Sequence, residues 1–253
     1  MFDPPVAIAS LSGRSDASWA AYAAPYVGAA FLGGIALDTP TREAARAMVD
    51  RDRTEFLPPD PTAFIDAQLR ACARLPISVG FNVRAATPAA VRAAARVCAA
   101  HDAILEVNAH CRQDEMCAAG AGESLLRDLD RLTDQVGTAA ATGATVSVKV
   151  RTEVSDVDLP TVARRVTDAG AAMLHVDAMD SESVVADVAA ATDRPVIANN
   201  GVRDRATVDT YLGYGAAAVS VGRPSDDRRV LRRVAAAVTD SHARPPRANN
   251  ESF

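Results

Sequence analysis

The chain lacks the features that mark secreted and membrane proteins. Its 253 residues include only four cysteines, Cys72, Cys98, Cys111 and Cys117, and no two of them form a CxxC pair. This spacing favours free thiols in a reducing compartment, so the expected location is the cytoplasm. The first residues show no basic segment followed by an apolar run, and no stretch reaches about 18 consecutive apolar residues, so neither export nor membrane insertion is expected.

Positive charge is also in short supply. The formal net charge is −5, with 27 Lys and Arg residues against 32 Asp and Glu residues. This balance argues against binding of nucleic acid through an overall basic field. The basic cluster that the sequence does show lies near the end of the chain, at Arg228, Arg229, Arg232 and Arg233.

The apolar content is sufficient for one full core. Hydrophobic residues make up 49% of the chain, and its length matches that of a single β/α barrel. Short runs rich in Val, Ile and Ala alternate with alanine-rich segments of helical periodicity, a pattern typical of parallel strands joined by helices. We predict eight strands, near residues 6–10, 29–35, 77–82, 104–108, 145–151, 173–177, 196–199 and 218–222.

The predicted fold class is therefore α/β, a single (β/α)8 TIM barrel. The barrel domain is expected to span residues 1–240. Residues 241–253 are polar and contain a Pro pair, which predicts a disordered tail. The segment 51–61 between the second and third strands is predicted to form an exposed loop.

Polar residues interrupt several strands that should be buried on both faces. In segment 145–151, Val146, Val148 and Val150 share one face, which turns Lys149 toward the barrel interior. The same alternation predicts a set of inward-facing positions at Ser78, Gly80, Asn82, Glu106, Asn108, Ser147, Arg151, His175 and Asp177. They gather toward the C-terminal ends of the strands, where barrel enzymes build active sites. The alternative is a structural ion network of Glu106, Lys149, His175 and Asp177.

The loops after strands seven and eight carry a pattern that is typical of phosphate binding. Gly201 and Gly222 allow backbone N–H groups to approach an anion closely, and Arg223 can pair with phosphate oxygens. Because both loops carry this pattern together, we predict a phosphate site at the barrel mouth.

The segment EVNAHCRQDEMCAAGAGESLLRD resembles the active-site stretch of tRNA-dihydrouridine synthases. In that family a strand ends in Asn and is followed by a catalytic Cys, a Gly-x-Gly and a leucine pair. The segments VSVKVR, AGAAMLHVDAMD, PVIANNGV, VSVGRP and VAIASLSGRSD resemble the family's other flavin-contacting strands and loops. The resemblance covers residues 5–224 approximately, and it implies an FMN-dependent TIM-barrel oxidoreductase.

Carried over position by position, the resemblance implies a role for each matching residue. Cys111 would be the proton donor and Lys149 would contact the flavin ring and support hydride transfer. Further cofactor contacts would come from the remaining matching positions, which are Ser10, Asn82, Asn108, His175, Asp177, Asn199, Gly201, Gly222 and Arg223. NADPH or NADH would reduce the flavin.

The chain departs from the family pattern at several of these places. His110 and Arg112 flank the cysteine where the family has Gly and Pro, and Asp114 and Glu115 replace lysines. The family's strand-six histidine falls at Asp177, with His175 two residues earlier, and its strand-three glutamine falls at Gly80, with Asn82 as its replacement. The C-terminal helical domain that grips tRNA is missing, so a short, divergent form is expected.

The leading hypothesis is reduction of a uracil-type C5=C6 double bond by NAD(P)H-reduced flavin. The substrate would be a uridine of tRNA or a small pyrimidine. A second hypothesis is an FMN-dependent dehydrogenase of a small pyrimidine or enoate, similar to dihydroorotate dehydrogenase. A third is a flavin-free phosphate-binding isomerase or lyase that uses Lys149 as a Schiff-base lysine. No metal site is expected, and the sequence alone sets no oligomeric state.

Overall fold

Eight parallel strands close into a barrel in the computed structural model, which describes residues 1–243. Each strand pairs with the next in sequence, and β1 pairs with β8. The strands are β1 Val6–Ile8, β2 Ala29–Ala36, β3 Ser78–Arg84, β4 Ile104–Ala109, β5 Thr145–Arg151, β6 Met173–Asp177, β7 Val196–Asn199 and β8 Ala218–Val221. The predicted single (β/α)8 barrel is confirmed.

Ten helices connect and surround the strands in the described part of the chain. They are α1 Ala17–Ala23, α2 Thr39–Val49, α3 Pro61–Cys72, α4 Pro88–Ala100, α5 Asp114–Ala118, α6 Leu129–Ala140, α7 Leu159–Asp168, α8 Val184–Ala190, α9 Arg205–Gly213 and α10 Arg228–Ala243. Short 3₁₀ helices span Gly122–Leu126 and Arg223–Asp226. Aspartate side chains accept first-turn N–H groups and so define where α1, α3, α6, α7 and α9 begin.

The barrel has an apolar outer layer and a divided interior. Val146, Val148 and Val150 of β5 pack outward in the main core beneath the helices. Inside the barrel, an apolar plug fills the half near the strand N-termini and is formed by Phe2, Ala7, Ala29, Phe31, Ile104, Met173, Ile197 and Ala218. The ring of Phe31 lies 5.2 Å from the ring of His175. Polar side chains therefore occupy the interior directly above the plug.

One segment differs from what the sequence predicts. The segment 51–61 is exposed over its first four residues, but the side chain of Glu55 is completely buried against Arg84. Helix α10 ends at Ala243, and the domain boundary at residue 240 stays a prediction. The rest of the predicted disordered tail lies outside the described residues.

None of the helices in the described range is long and apolar enough to cross a membrane.

Candidate active site at the barrel mouth

Glu106 of β4 is the centre of a buried hydrogen-bond network. Its Oε1 accepts a hydrogen bond from Asn82 at 2.7 Å, and its Oε2 accepts one from Ser147 at 3.2 Å. His175 Nδ1 also lies 2.7 Å from Oε2, and its Nε2 lies 2.7 Å from the hydroxyl of Ser220. Five strands, β3, β4, β5, β6 and β8, thus meet at one layer of the interior. The alternation of side chains predicts the inward positions on β3 to β6, but it does not predict that of Ser220.

Electrostatics set the proton positions in this layer. Burial would raise the pKa of Glu106, but the charge and hydrogen bond of His175, together with Lys149 and Asn82, lower it to about 2. Burial lowers the pKa of His175. An ionised Glu106 only accepts hydrogen bonds, so a neutral His175 carries its proton on Nδ1 and accepts from Ser220 at Nε2. Both ring nitrogens are therefore occupied by protein partners.

Asn82 and Asn108 connect this layer to the loop that carries Cys111. Asn108 donates to Asn82 Oδ1 at 2.8 Å, while its own Oδ1 accepts from the backbone N–H of His110 at 3.2 Å and of Cys111 at 3.0 Å. Asn108 is 5% exposed. The two amides are thus placed to fix the loop, a role that the sequence alone does not reveal.

The Cys111 loop is held tightly on its other side. The backbone oxygen of Cys111 accepts from Glu123 N–H at 2.9 Å and from the Cys117 thiol at 3.5 Å. A Cβ atom at Gly122 would lie 2.2 Å from that oxygen, and Gly122 has φ +65°. Only glycine fits there without a shift of the loop. Cys111 itself is partly exposed, so the loop fixes the backbone of a residue that solvent can still reach.

Lys149 is the chain's only lysine. It lies on β5 beside Asn108 of β4 and His175 of β6, and it is 2% exposed. Within residues 1–243 its ammonium makes neither a hydrogen bond nor an ion pair. Its charge acts on the carboxylates of Glu106 and Asp177, but its N–H groups have no acceptor among the described residues. A buried ammonium without a hydrogen bond is costly, so this arrangement favours a ligand that supplies electron-rich atoms at Lys149.

His110 and Asp177 form a pair next to the cysteine. His110 Nδ1 lies 3.5 Å from Asp177 Oδ2. Burial, reinforced by the charge of Lys149, lowers the pKa of His110 to about 4. Burial would raise the pKa of Asp177, but the hydrogen bond and charge of His110 lower it to about 2. Two positions at which the chain departs from the family pattern therefore contact one another.

The predicted phosphate-binding residues lie at the ends of β7 and β8. The side-chain amide of Asn199 donates to Ser220 O at 3.1 Å and so ties the two strands together. A Cβ at Gly201 would meet no heavy atom within 4 Å, and one at Gly222 would meet only the Asn199 amide at 3.9 Å. Open space above both glycines suits the close approach of a phosphate. Arg223 is exposed at this rim, and Ser10 is half-buried after β1.

Sequence reasoning missed the pair formed by Arg84 and Glu55. Arg84 ends β3 and is 1% exposed, and its guanidinium binds the carboxylate of Glu55 and the backbone oxygen of Gly34. The alternation that turns Asn82 inward also turns Arg84 inward, so extending β3 by two residues would have revealed it. Burial of Glu55 could not be anticipated, because it lies in a polar loop.

Residues 1–243 contain no group of three or more His, Cys, Asp or Glu side chains arranged to hold a metal ion.

The fold and the site together define a β/α-barrel protein with a polar mouth built from strand ends and their loops. The chain belongs to the dihydrouridine synthase family, because the family model described as Dihydrouridine synthase (Dus) matches residues 66–251. The resemblance seen in the sequence is confirmed.

Individual relatives agree with this family. The chain is 30% identical over 168 residues to tRNA-dihydrouridine synthase B of Xanthomonas axonopodis pv. citri, covering 60% of this chain and 50% of the relative. It is 30% identical over 184 residues to a probable tRNA-dihydrouridine synthase of Rhodobacter capsulatus, covering 67% and 56%. The chain thus spans about half the length of the curated relatives it matches.

Solved structures share the barrel fold at low sequence identity. FabK from Thermotoga maritima is 15% identical with a TM-score of 0.56, covering 91% of this chain and 60% of that chain. A chain of the tryptophan synthase complex from Pyrococcus furiosus is 13% identical with a TM-score of 0.60, covering 95% and 100%. These similarities concern the fold alone.

Proposed function

We propose that this chain is the catalytic barrel of an FMN-dependent dihydrouridine synthase. The observation that carries the proposal is the buried Lys149, whose ammonium makes neither a hydrogen bond nor an ion pair within the described residues and which lies on β5 beside Asn108, the residue that holds the Cys111 loop. Membership of the dihydrouridine synthase family supports it. The substrate would be a uridine of tRNA, the reductant NADPH or NADH, and the location the cytoplasm.

The residues at the mouth fit FMN. Lys149 would lie against the pyrimidine edge of the ring system, where its charge offsets the negative charge of the reduced form. The phosphate would lie over the open space at Gly201 and Gly222, close to Asn199 and Arg223. Ser10 would contribute a hydroxyl from the loop after β1. Bound FMN supplies the hydride that is added to C6 of the uracil ring.

Cys111 would supply the proton for C5. Its backbone is held on both sides, by Asn108 and by Glu123, so the thiol has a defined position above the mouth. A positioned proton donor typically contributes a factor of about 10²–10⁴ in rate. The Cys111 loop would therefore complete the reduction by protonating C5.

His110 and His175 are assigned different tasks. His175 is 0% exposed and both its nitrogens are engaged, so it supports Glu106 and Lys149 and does not touch the ligand. His110 is partly exposed beside Asp177. A neutral His110 whose Nδ1 faces Asp177 leaves its Nε2 lone pair free to accept a hydrogen bond from the substrate.

A small pyrimidine is the second candidate substrate. The net charge of −5 gives little general attraction for the tRNA backbone. The same mouth would then reduce a free base or nucleoside with unchanged roles for Lys149 and Cys111.

The deciding experiment uses the purified full chain. The bound flavin is released by heat and identified by chromatography, and FMN is expected. Unmodified tRNA transcripts and free uridine are then incubated with NADPH, and dihydrouridine is measured by mass spectrometry. Recovery of FAD, or failure to bind any flavin after reconstitution, contradicts the proposal, while product from uridine alone favours the small-pyrimidine alternative.

A further inference from the structure

Arg84 and Glu55 form a buried ion pair whose hydrogen bonding is incomplete. The Arg84 side chain is 1% exposed and that of Glu55 is 0% exposed. Among the described residues, Nε and Nη1 of Arg84 and Oε1 of Glu55 have no hydrogen-bond partner. Two guanidinium nitrogens are thus held in the interior with no acceptor assigned to them.

The guanidinium lies beneath the Cys111 loop. In the sheet, Asn82 pairs with Glu106, so Arg84, two residues further along β3, is level with Asn108, whose side chain holds the N–H of Cys111. Ala36 is the strand partner of Arg84 and belongs to the apolar cluster against which Cys111 packs. Strand register and packing therefore put the Arg84 side chain and Cys111 in the same region, at the C-terminal end of β3 and β4.

Electrostatics agree with this placement. Burial would lower the pKa of Arg84, but the charge and hydrogen bond of Glu55 raise it, and the charge of Cys111 acts in the same direction. The guanidinium therefore stays protonated.

The Arg84–Glu55 pair contributes too little to the stability of the fold to explain why two charges are buried there. A buried ion pair with unsatisfied nitrogens gains little over apolar side chains of the same size, and each unsatisfied group carries a desolvation cost. Buried unsatisfied groups in folded proteins generally have another explanation, such as a role at a functional site.

We propose that Arg84 is a positioning residue that places a permanent positive charge beside the Cys111 sulfur and stabilises its thiolate. Glu55 holds Arg84 in place and offsets part of its charge. The inference rests on the proposed function, in which Cys111 donates a proton.

The chemical step balances around the sulfur. The S–H bond of Cys111 breaks, its proton forms the new C–H bond at C5, and the electron pair stays on sulfur as a thiolate. The hydride at C6 comes from the reduced flavin of the proposed function. Arg84 keeps its protons throughout, and water returns a proton to Cys111 before the next turnover.

Other charged and titratable groups also surround the thiol. His110 and Arg112 flank it in sequence, Cys117 of α5 donates to its backbone oxygen, and Glu123 lies in the 3₁₀ helix that contacts the loop. Glu123 is paired with Arg151 at 2.8 Å. Lys149 is also buried near the loop, beside Asn108. Of these two buried cations, Arg84 is the one with fully buried nitrogens that have no hydrogen-bond partner among the described residues.

The test measures alkylation of Cys111 by iodoacetamide as a function of pH in the full chain. Peptide mass spectrometry follows each cysteine separately, so the partly exposed Cys117 is an internal control. With Arg84→Met, the midpoint of the Cys111 profile should rise by about one pH unit, equivalent to about tenfold slower alkylation near neutral pH. Arg84→Lys should restore part of the loss. The Cys117 profile should move much less than the Cys111 profile, because Arg84 acts on Cys117 only through the charge of Cys111.

A second variant keeps the proposal testable if Arg84→Met does not fold. Glu55→Gln removes the competing carboxylate and leaves Arg84 charged, so the Cys111 midpoint should fall. Opposite shifts in the two variants are not expected from a merely structural pair. An unchanged midpoint in folded Arg84→Met, or an unchanged or raised midpoint in Glu55→Gln, overturns the proposal.

The alkylation assay requires neither flavin nor substrate, so it separates this inference from the proposed function. If the midpoints shift as expected but Cys111→Ala still turns over substrate normally, the charge pair is real and the role of Cys111 as acid is wrong. If Cys111→Ala is inactive and the midpoints do not shift, the function stands and the role of Arg84 is wrong.

Discussion

Lys149 is a single residue on which the proposed cofactor site depends. Its side chain is buried, and its ammonium makes neither a hydrogen bond nor an ion pair within residues 1–243. In Lys149→Met the chain length is nearly kept and the charge is lost. We expect FMN to bind roughly 10- to 100-fold more weakly, since a hydrogen bond to a charged group contributes about 1.5–3 kcal/mol.

The measurement for Lys149 is a fluorescence titration of apoprotein with FMN. Arg223→Met is a useful comparison, because Arg223 is exposed at the phosphate rim and should have a smaller effect. An unchanged dissociation constant for Lys149→Met would show that the lysine serves only the internal charge network around Glu106.

Cys111 and Cys117 form a natural matched pair for a test of catalysis. Both are partly exposed free thiols, but the proposal gives a chemical role only to Cys111. Cys111→Ala should keep FMN and its reduction by NADPH yet lose turnover by about 10²-fold or more. Cys117→Ala should behave like the unaltered protein in both half-reactions, measured by stopped-flow absorbance. Normal turnover by both variants would show that Cys111 has no role in the mechanism.

At the scale of elements, the connection from β4 to the 3₁₀ helix Gly122–Leu126 determines where the thiol lies. Gly122→Ala would place a methyl group 2.2 Å from Cys111 O at a φ of +65°. We expect a stability loss of about 2 kcal/mol or more together with reduced turnover, because the loop must move.

Gly143→Ala provides the control for Gly122→Ala. Gly143 also has a positive φ of +85°, but a Cβ there would meet nothing within 4 Å. Gly143→Ala should therefore lower the free energy of unfolding only by the backbone strain, about 1–2 kcal/mol, and it should leave turnover unchanged. Thermal unfolding and turnover of both variants give the comparison. Similar losses of turnover in the two variants would argue against a role for the loop position.

The strands and helices were largely predictable from the sequence. The side-chain contacts between segments distant in sequence were not. Alternation along β5 predicted that Lys149 lies inside the barrel. The valines of β5 form the face that packs against the helices, so the residues between them point to the interior. The same rule stopped short at β3, where ending the strand at Asn82 left out Arg84. The contacts of Arg84 with Glu55 and of His110 with Asp177 join segments distant in sequence, and no local pattern encodes them.

For the whole molecule, the buried network makes stability depend on pH. The folded-state pKa of His110, about 4, lies below its ordinary value of 6.5, so between these values the unfolded chain binds more protons. Glu106 and Asp177, with folded-state pKa values of about 2 against 4.5 and 3.8, act in the same direction at lower pH. The contribution of these three groups to the free energy of unfolding is therefore fully present above about pH 6.5, and it is lost steadily as the pH is lowered toward 2.

Urea unfolding of apoprotein between pH 8 and pH 3 measures this dependence. His110→Gln should flatten the profile between pH 6.5 and pH 4. A profile that rises as the pH falls would contradict the assignment of a neutral His110.

The whole-molecule charge predicts weak binding of tRNA by this chain. The arginines of the basic cluster near α10 are partly engaged, since Arg228 stacks 4.3 Å above the Tyr22 ring and Arg229 pairs with Asp227 at 3.2 Å. We expect a dissociation constant no tighter than about 1 µM at physiological salt. Filter binding at several salt concentrations measures it. Tight, salt-sensitive binding would contradict this expectation and favour tRNA over a small pyrimidine.

The single lysine also gives the barrel one possible cut by a protease that cleaves only after lysine. The Lys149–Val150 bond lies within β5, paired to β4 and β6, so a protease can reach it only when the sheet opens. The rate of that one cleavage then reports how often the barrel opens. Because a ligand of the folded form suppresses opening, the cleavage rate measured against added FMN or tRNA would rank candidate ligands without any assay of activity.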